Sequence, residues 1–251
     1  MTDGLGCGGA AELQIQTAPE TWVGDNEGPP APLHAMLPLL FGVFNAHSAP
    51  VATVVNAEDP AAFMEVGLRV PIYTDALHAH AVATERGETT SSILAVVDYS
   101  MSPDARRMWV VDLARNALLF HEHVSHGKNS GRVEMTQWSD VKGSKQTSIG
   151  VSVAAETYYG KHGLSLKMDG LEEGFNANNR ERAIVIHGAS YVSSEQAETT
   201  GRVGNSWGCP AVSEDVSAAM IRTLAGGALV VSWYPDETWW RTSEYLPKRD
   251  P

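Results

Sequence analysis

From Ile93 onward the chain is punctuated by seven short runs of β-forming residues. The runs are Ile93 to Asp98, Met108 to Asp112, Leu118 to Val124, Thr147 to Val153, Leu164 to Met168, Ala183 to His187 and Ala228 to Trp233. Short runs rich in Val, Ile, Thr and aromatic side chains suit a pleated, half-buried surface, and turn residues between them make sheet neighbours of sequence neighbours. Leu113-Ala114-Arg115-Asn116 supplies such a turn, so the first three runs read as an antiparallel meander. The set as a whole predicts a mainly β fold, a twisted sheet folded on itself as a sandwich or open barrel, with a few helices. One helix is expected over Thr74 to Arg86, with Thr74-Asp75 as its cap and Gly87 as its stop. A second follows Ser213, with Glu214 and Asp215 in its first turn and Val216, Met220 and Leu224 on one face, and it ends at Gly226-Gly227.

The N-terminal part is different in kind. Residues 1–32 are rich in Gly, Pro, Ala and acidic side chains, with Gly28-Pro29-Pro30-Ala31-Pro32 as a stiff linker, and read as a flexible leader. Residues 33–70 form an N-terminal extension with one short helix expected around His34 to Phe44, interrupted by Pro38. Residues 71–251 make the main domain. Eighteen basic against 30 acidic residues give a formal charge of −12, which opposes binding to nucleic-acid backbones and anionic membranes. No apolar stretch reaches the roughly 18 to 20 residues needed to cross a bilayer, so no membrane insertion is expected. The leader has neither a basic nor an apolar signal region. Its Cys7 sits among glycines and is not expected to pair with Cys209, the other cysteine.

Cys209 stands in Gly204-Asn205-Ser206-Trp207-Gly208-Cys209-Pro210-Ala211, and His187 closes the apolar run Ala183-Ile184-Val185-Ile186-His187-Gly188. A thiol with a pKa near about 8.5 attacks carbonyls well only once a base or a positive field yields thiolate, and histidine is the usual base. Gly208 before the cysteine lets the backbone turn sharply and aim amides at a developing oxyanion. On the residues alone, an inert buried cysteine is the alternative.

This segment resembles the L,D-transpeptidase catalytic domain, or YkuD domain, whose signature sets a strand-ending His-Gly ahead of Ser/Thr-x-Gly-Cys. Ser206-Trp207-Gly208-Cys209 fits the second part. Pro210-Ala211 resembles a divergent branch of that family, because in the better-studied branch an Arg or Asn closely follows the cysteine. The resemblance extends upstream through Val96 to Ser100, Trp109 to Leu113, Ser125-His126-Gly127, Thr147-Ser148-Ile149-Gly150, Tyr159 to Leu166 and Gly170-Leu171. It implies transpeptidation of peptidoglycan stem peptides in a periplasmic or extracellular compartment, with no metal and no organic cofactor. Cys209 would attack the carbonyl of an L-centre in an L,D-peptide bond, with His187 as base oriented by the carbonyl of Gly188. The Gly208 and Cys209 amides, with Trp207, would line the oxyanion site. Ser206 would orient His187 or substrate, or simply close its own loop. Tyr191 and His126 are further candidates for substrate contact. The departure at Pro210-Ala211 leaves the substrate carboxylates without a reader, for which Arg202 and Arg222 are candidates.

Three other readings stand beside this one. Water as acceptor would give an L,D-carboxypeptidase. His121 and His123 share one face of a strand, with His126 three positions later, so a zinc peptidoglycan hydrolase with Glu122 as base is an alternative. A non-catalytic wall-binding module is the third.

Overall fold

The computed structural model describes residues 53–54, 63 and 65–249. The leader, Cys7 and the helix expected at His34 to Phe44 lie outside the described residues. In chain order the elements are β1 (Thr53–Val54), α1 (Val70–Glu85), β2 (Ile93–Asp98), β3 (Met108–Asp112), β4 (Ala117–Glu122), β5 (Gly150–Gly160), β6 (Gly163–Gly170), β7 (Val185–Gly188), α2 (Ser194–Thr200), β8 (Ala211–Val212), α3 (Glu214–Leu224), β9 (Leu229–Trp233) and α4 (Glu237–Thr242). All nine strands join one sheet in the order β1-β4-β3-β2-β9-β5-β6-β7-β8.

The expected meander is present: β2, β3 and β4 pair antiparallel in sequence order. The return of the chain to β9 is not a meander step, because β9 lies parallel to β2, between it and β5. Strands β2, β3 and β9 are almost wholly buried, which explains their near-continuous apolar sequences. Helix α1 covers β2 and β9 with Ile72, Tyr73, Ala76, Ala79 and Ala83. Helix α3 covers β6 and β7 with Met220, Ile221 and Leu224.

The two outer ends of the sheet approach each other. Beyond β4, Gly127 forms a parallel bridge with Ser206. The Ser125 amide donates to the Ala211 carbonyl of β8 at 2.9 Å. The sheet is therefore barrel-like and nearly closed, and its seam runs along the loop that carries Cys209.

Several boundaries differ from the sequence reading. Helix α1 begins at Val70, not at Thr74, with Pro71 in its first turn and no side-chain cap. Proline's fixed φ suits a first turn, so it starts the helix that Thr74 was expected to cap. Strand β5 begins at Gly150 and runs on to Gly160, rather than spanning Thr147 to Val153. Thr147 is tied into the preceding loop, its amide donating to Ser130 Oγ and its hydroxyl accepting from the Gly127 amide. Strand β7 begins at Val185 because Ala183 has φ +53°, a left-handed conformation incompatible with a strand. Helix α3 agrees with its expected cap, the Ser213 hydroxyl accepting from the Asp215 amide. Among the described residues no helix is long and apolar enough to cross a membrane.

Candidate active site

His187 and Cys209 reach one cavity from adjacent strands. Strand β7 pairs parallel with β8, placing His187 opposite Ala211, so Cys209 enters the same neighbourhood two residues before β8. The cavity, of about 480 Å³, is lined by both side chains together with His162, Tyr191, Trp207 and Lys161, among others. That volume suits a small ligand or one end of a peptide.

The tautomer of His187 follows from its partner. Its Nδ1 lies 2.8 Å from the Gly188 carbonyl oxygen, which can only accept, so Nδ1 carries the proton and Nε2 presents a lone pair. Burial pushes the imidazole below its ordinary pKa, the Gly188 bond opposes that, and His162 and Lys161 push it further down. Neutral imidazole is the form favoured at neutral pH. The exposed ring of His162 stacks on that of His187, centroids 4.2 Å apart and planes inclined by 23°. Gly188 itself permits a close approach from behind: a Cβ there would lie 2.6 Å from Ser217 Oγ of α3.

Cys209 is a free, half-buried thiol whose Sγ donates to the Ala183 carbonyl at 3.6 Å. The left-handed turn at Ala183 sets that carbonyl, and a non-glycine residue there costs about 1–2 kcal/mol. Burial raises the thiol pKa, opposed by its backbone contact with Val185 and by Arg182 and Lys161. Both shifts favour the uncharged forms, thiol and neutral imidazole.

The loop between them is set by backbone and hydroxyl contacts. Ser206 Oγ donates to the Cys209 carbonyl at 2.6 Å and accepts from the Gly208 amide at 3.1 Å. Of its two expected roles, Ser206 takes the loop-closing one. The same bond occupies the Gly208 amide, which is thereby withdrawn from the expected oxyanion site. Gly208 contributes conformation instead, with φ +120° and a position where a Cβ would meet the Gln146 carbonyl at 2.6 Å. The Cys209 and Trp207 amides donate to no acceptor among the described residues.

His126 is placed differently from the sequence expectation. It is fully buried and does not line the cavity. Its Nδ1 accepts from Arg107 Nη2 at 2.9 Å, so Nε2 carries the proton and donates to the Gly131 carbonyl at 2.9 Å. Burial, reinforced by Arg107, pushes its pKa down to about 4. His126 meets the cysteine loop twice: its carbonyl accepts the Ser206 amide, and its Nε2 lies 3.1 Å from Asn205 Nδ2; the next residue but one, Lys128, donates its amide to the Ser206 carbonyl. Ser125-His126-Gly127 is a strap behind the cysteine loop. Tyr191 does line the cavity, and burial raises its phenol to about 12, leaving it a hydrogen-bond donor at neutral pH.

The zinc alternative finds no ligand set among the described residues. His121 Nε2 meets the Arg106 carbonyl and its ring stacks on Trp109, while His126 faces Arg107. Arg202 and Arg222 are also absent from the cavity lining: Arg202 donates to Arg132 O and Asn205 Oδ1, and Arg222 to its own helix at Ala218 O. The sequence reading assigned none of Lys145, Lys161, His162 and Arg182 to the site, and all four line the cavity. His162 lies in a quoted motif, on the tight β5–β6 turn whose position over His187 only the fold reveals.

A strand-rich, nearly closed sheet that brings a cysteine and an oriented histidine into one cavity defines a class of domain. The chain belongs to the family of the L,D-transpeptidase catalytic domain, whose model matches residues 65–233. Comparison with curated proteins gives no match. Among solved structures the chain is similar to an L,D-transpeptidase from Mycobacterium smegmatis, at 14% identity and TM-score 0.35, over 57% of this chain and 59% of that one. It is also similar to the L,D-transpeptidase LdtMt1 in complex with imipenem (16%, TM-score 0.34, 56% and 58%) and to Bd1075 of Bdellovibrio bacteriovorus (15%, 0.36, 57% and 48%). The chain thus spans less than two thirds of the length of each.

Proposed function

We propose that the protein is a cysteine acyltransferase acting on peptidoglycan stem peptides, an L,D-transpeptidase working outside the cytoplasmic membrane. The observation that carries this reading is the bond from His187 Nδ1 to the Gly188 carbonyl, which leaves Nε2 as a base in the cavity that Cys209 also lines. Nε2 takes the Sγ proton as sulfur attacks the carbonyl carbon of the L-centre. The C–N bond then breaks, the leaving D-amino acid takes the proton from Nε2, and an acyl thioester remains. An amine from a second stem attacks the thioester, gives its proton to Nε2, and expels the sulfur, which recovers that proton. The Cys209 and Trp207 amides are the donors for the oxyanion, and one such donor is worth about 2.7–4 kcal/mol of barrier. Tyr191 contacts the donor peptide from the cavity wall. The division into a leader (1–32), an extension (33–70) and a catalytic domain (71–251) belongs to the same proposal, with Phe63 and Leu68 of the extension buried in the catalytic core.

The test is to incubate the protein and its Cys209→Ala variant with a tetrapeptide stem and follow mass. The expected result is a Cys209-dependent adduct and cross-linked dimers. Tripeptide without dimers would make the enzyme an L,D-carboxypeptidase, and the absence of both adduct and product would overturn acyl transfer.

A further inference from the structure

At the mouth of the cavity, Trp207 is 64% exposed and three lysines surround its ring. Lys145 Nζ lies 4.4 Å from the ring centroid, Lys128 Nζ 5.5 Å and Lys161 Nζ 5.8 Å. They come from three separate segments: Lys128 from the strap after β4, Lys145 from the loop before β5, and Lys161 from the β5–β6 turn. Lys145 holds a left-handed backbone with φ +57°. Among the described residues none of the three ammonium groups forms an ion pair or a hydrogen bond to the protein. By the ring distances, no two are farther apart than about 11 Å, close to the screening length of about 8–10 Å at moderate salt. Three unpaired like charges so close together, in a chain of net charge −12, form a local positive field that the composition disfavours.

Lys145 and Lys161 line the cavity, while Lys128 joins them only through the Trp207 ring; the third cation of the lining, Arg182, is committed elsewhere. Arg182 has a side chain only 2% exposed and donates to Ser139 O and Gln146 O, each at 2.6 Å, to Ser144 Oγ and to Ser148 Oγ, with Asp140 at 3.5 Å. Pro210 and Ala211, after the nucleophile, carry no charge, and Arg202 and Arg222 do not line the cavity.

We propose that Lys128, Lys145 and Lys161, arrayed on Trp207, form the subsite that reads a carboxylate of the peptide donor and thereby set its specificity. The proposal rests on the acyl-transfer reading for the identity of the donor but not for the anion site itself. The carboxylate is either the terminal one, on the leaving residue, or the side-chain one, on the residue whose carbonyl is attacked.

Binding, not turnover, is the test, so it is run on the Cys209→Ala protein by calorimetric titration with the tetrapeptide stem. Three ligands are compared: free acid, terminal amide and side-chain amide. Exchanging all three lysines for glutamine should weaken the free acid about tenfold, whereas exchanging them for arginine should largely preserve binding. Amidating the recognised carboxylate should cause a similar loss in the lysine protein and little further loss in the glutamine variant, and the amide that does so identifies the source. Added salt should narrow the difference. The proposal is overturned if the free acid binds the glutamine variant within about twofold of the lysine protein, if both amides bind as well as the acid, or if the acid does not bind at all. Adduct formation on the Cys209 protein is scored separately. Binding without an adduct sinks acyl transfer and leaves this site standing, and an adduct without lysine dependence does the reverse.

Discussion

His162 shows what a single residue adds to the cavity beyond Cys209 and His187, the pair proposed to carry its chemistry. Its ring covers His187 at 4.2 Å; burial holds that imidazole below its ordinary pKa against the Gly188 bond, and His162 and Lys161 add to the lowering. Removing His162 lessens the burial that is the main cause of the shift, and it removes one positive neighbour whenever His162 is charged. Both effects favour imidazolium, so His162→Ala should move the His187 titration to higher pH. Proton NMR of the imidazole in the Cys209→Ala background measures this without relying on turnover, and an unmoved titration would show that the stack is only packing. The residues that follow from local chemistry were legible in the sequence: Cys209, His187 and the orienting carbonyl of Gly188. Ser206, Gly208 and His126 stood out too, but their tasks depend on which backbone group lies across the loop, and spacing does not encode that. Ala183 gave no sign, because an alanine at φ +53° looks like any other in sequence.

The strap and the cysteine loop form one unit, and glycines set how closely they fit. A Cβ on Gly127 would lie 2.5 Å from Lys145 O, 2.9 Å from Gln146 C and 2.9 Å from Thr147 N. All three are backbone atoms, so no rotamer change relieves the overlap. Gly127→Ala should therefore cost about 1–3 kcal/mol, read as a lower urea midpoint at unchanged slope. Because the strap accepts the Ser206 amide through His126 O, Cys209 adduct formation should slow in the same variant. Elements with uniform burial were the easiest to read in the sequence: β2 and β3 agree to the residue, since every position but Ile93 is buried in an apolar run. Strand β5 was read short because Glu156 to Gly160 is exposed and polar or aromatic, a hairpin arm held by β6 rather than by the core. Helices α2 and α4, of seven and six residues, bury one residue each and offer no period long enough to detect.

Across the whole domain, the seam that closes the sheet at Cys209 has a counterpart in a buried carboxylate that fastens the C-terminal helix. Glu172 is 6% exposed and accepts from the Val151 amide of β5 at 2.6 Å, the Trp239 indole at 3.0 Å and the Ser243 hydroxyl at 2.5 Å. It thus joins α4, with its fully buried Trp239, to the sheet. Burial raises its pKa, and the three donors offset that only in part. With the folded pKa above the unfolded one, the group's titration favours folding most when it is protonated, and that part of the stability is lost as pH rises from the ordinary glutamate value through the raised one. Glutamine cannot titrate, and its NH₂ is best placed against the Ser243 hydroxyl, which can accept but then loses its own acceptor, a loss worth about 1–3 kcal/mol. Glu172→Gln should therefore be less stable than the parent at every pH, with the gap wider near pH 4 than near pH 7. Urea unfolding of both proteins at the two pH values checks this. A gap that widened toward neutral pH would mean that the donors outweigh burial and that the folded carboxylate is stabilised in its ionised form.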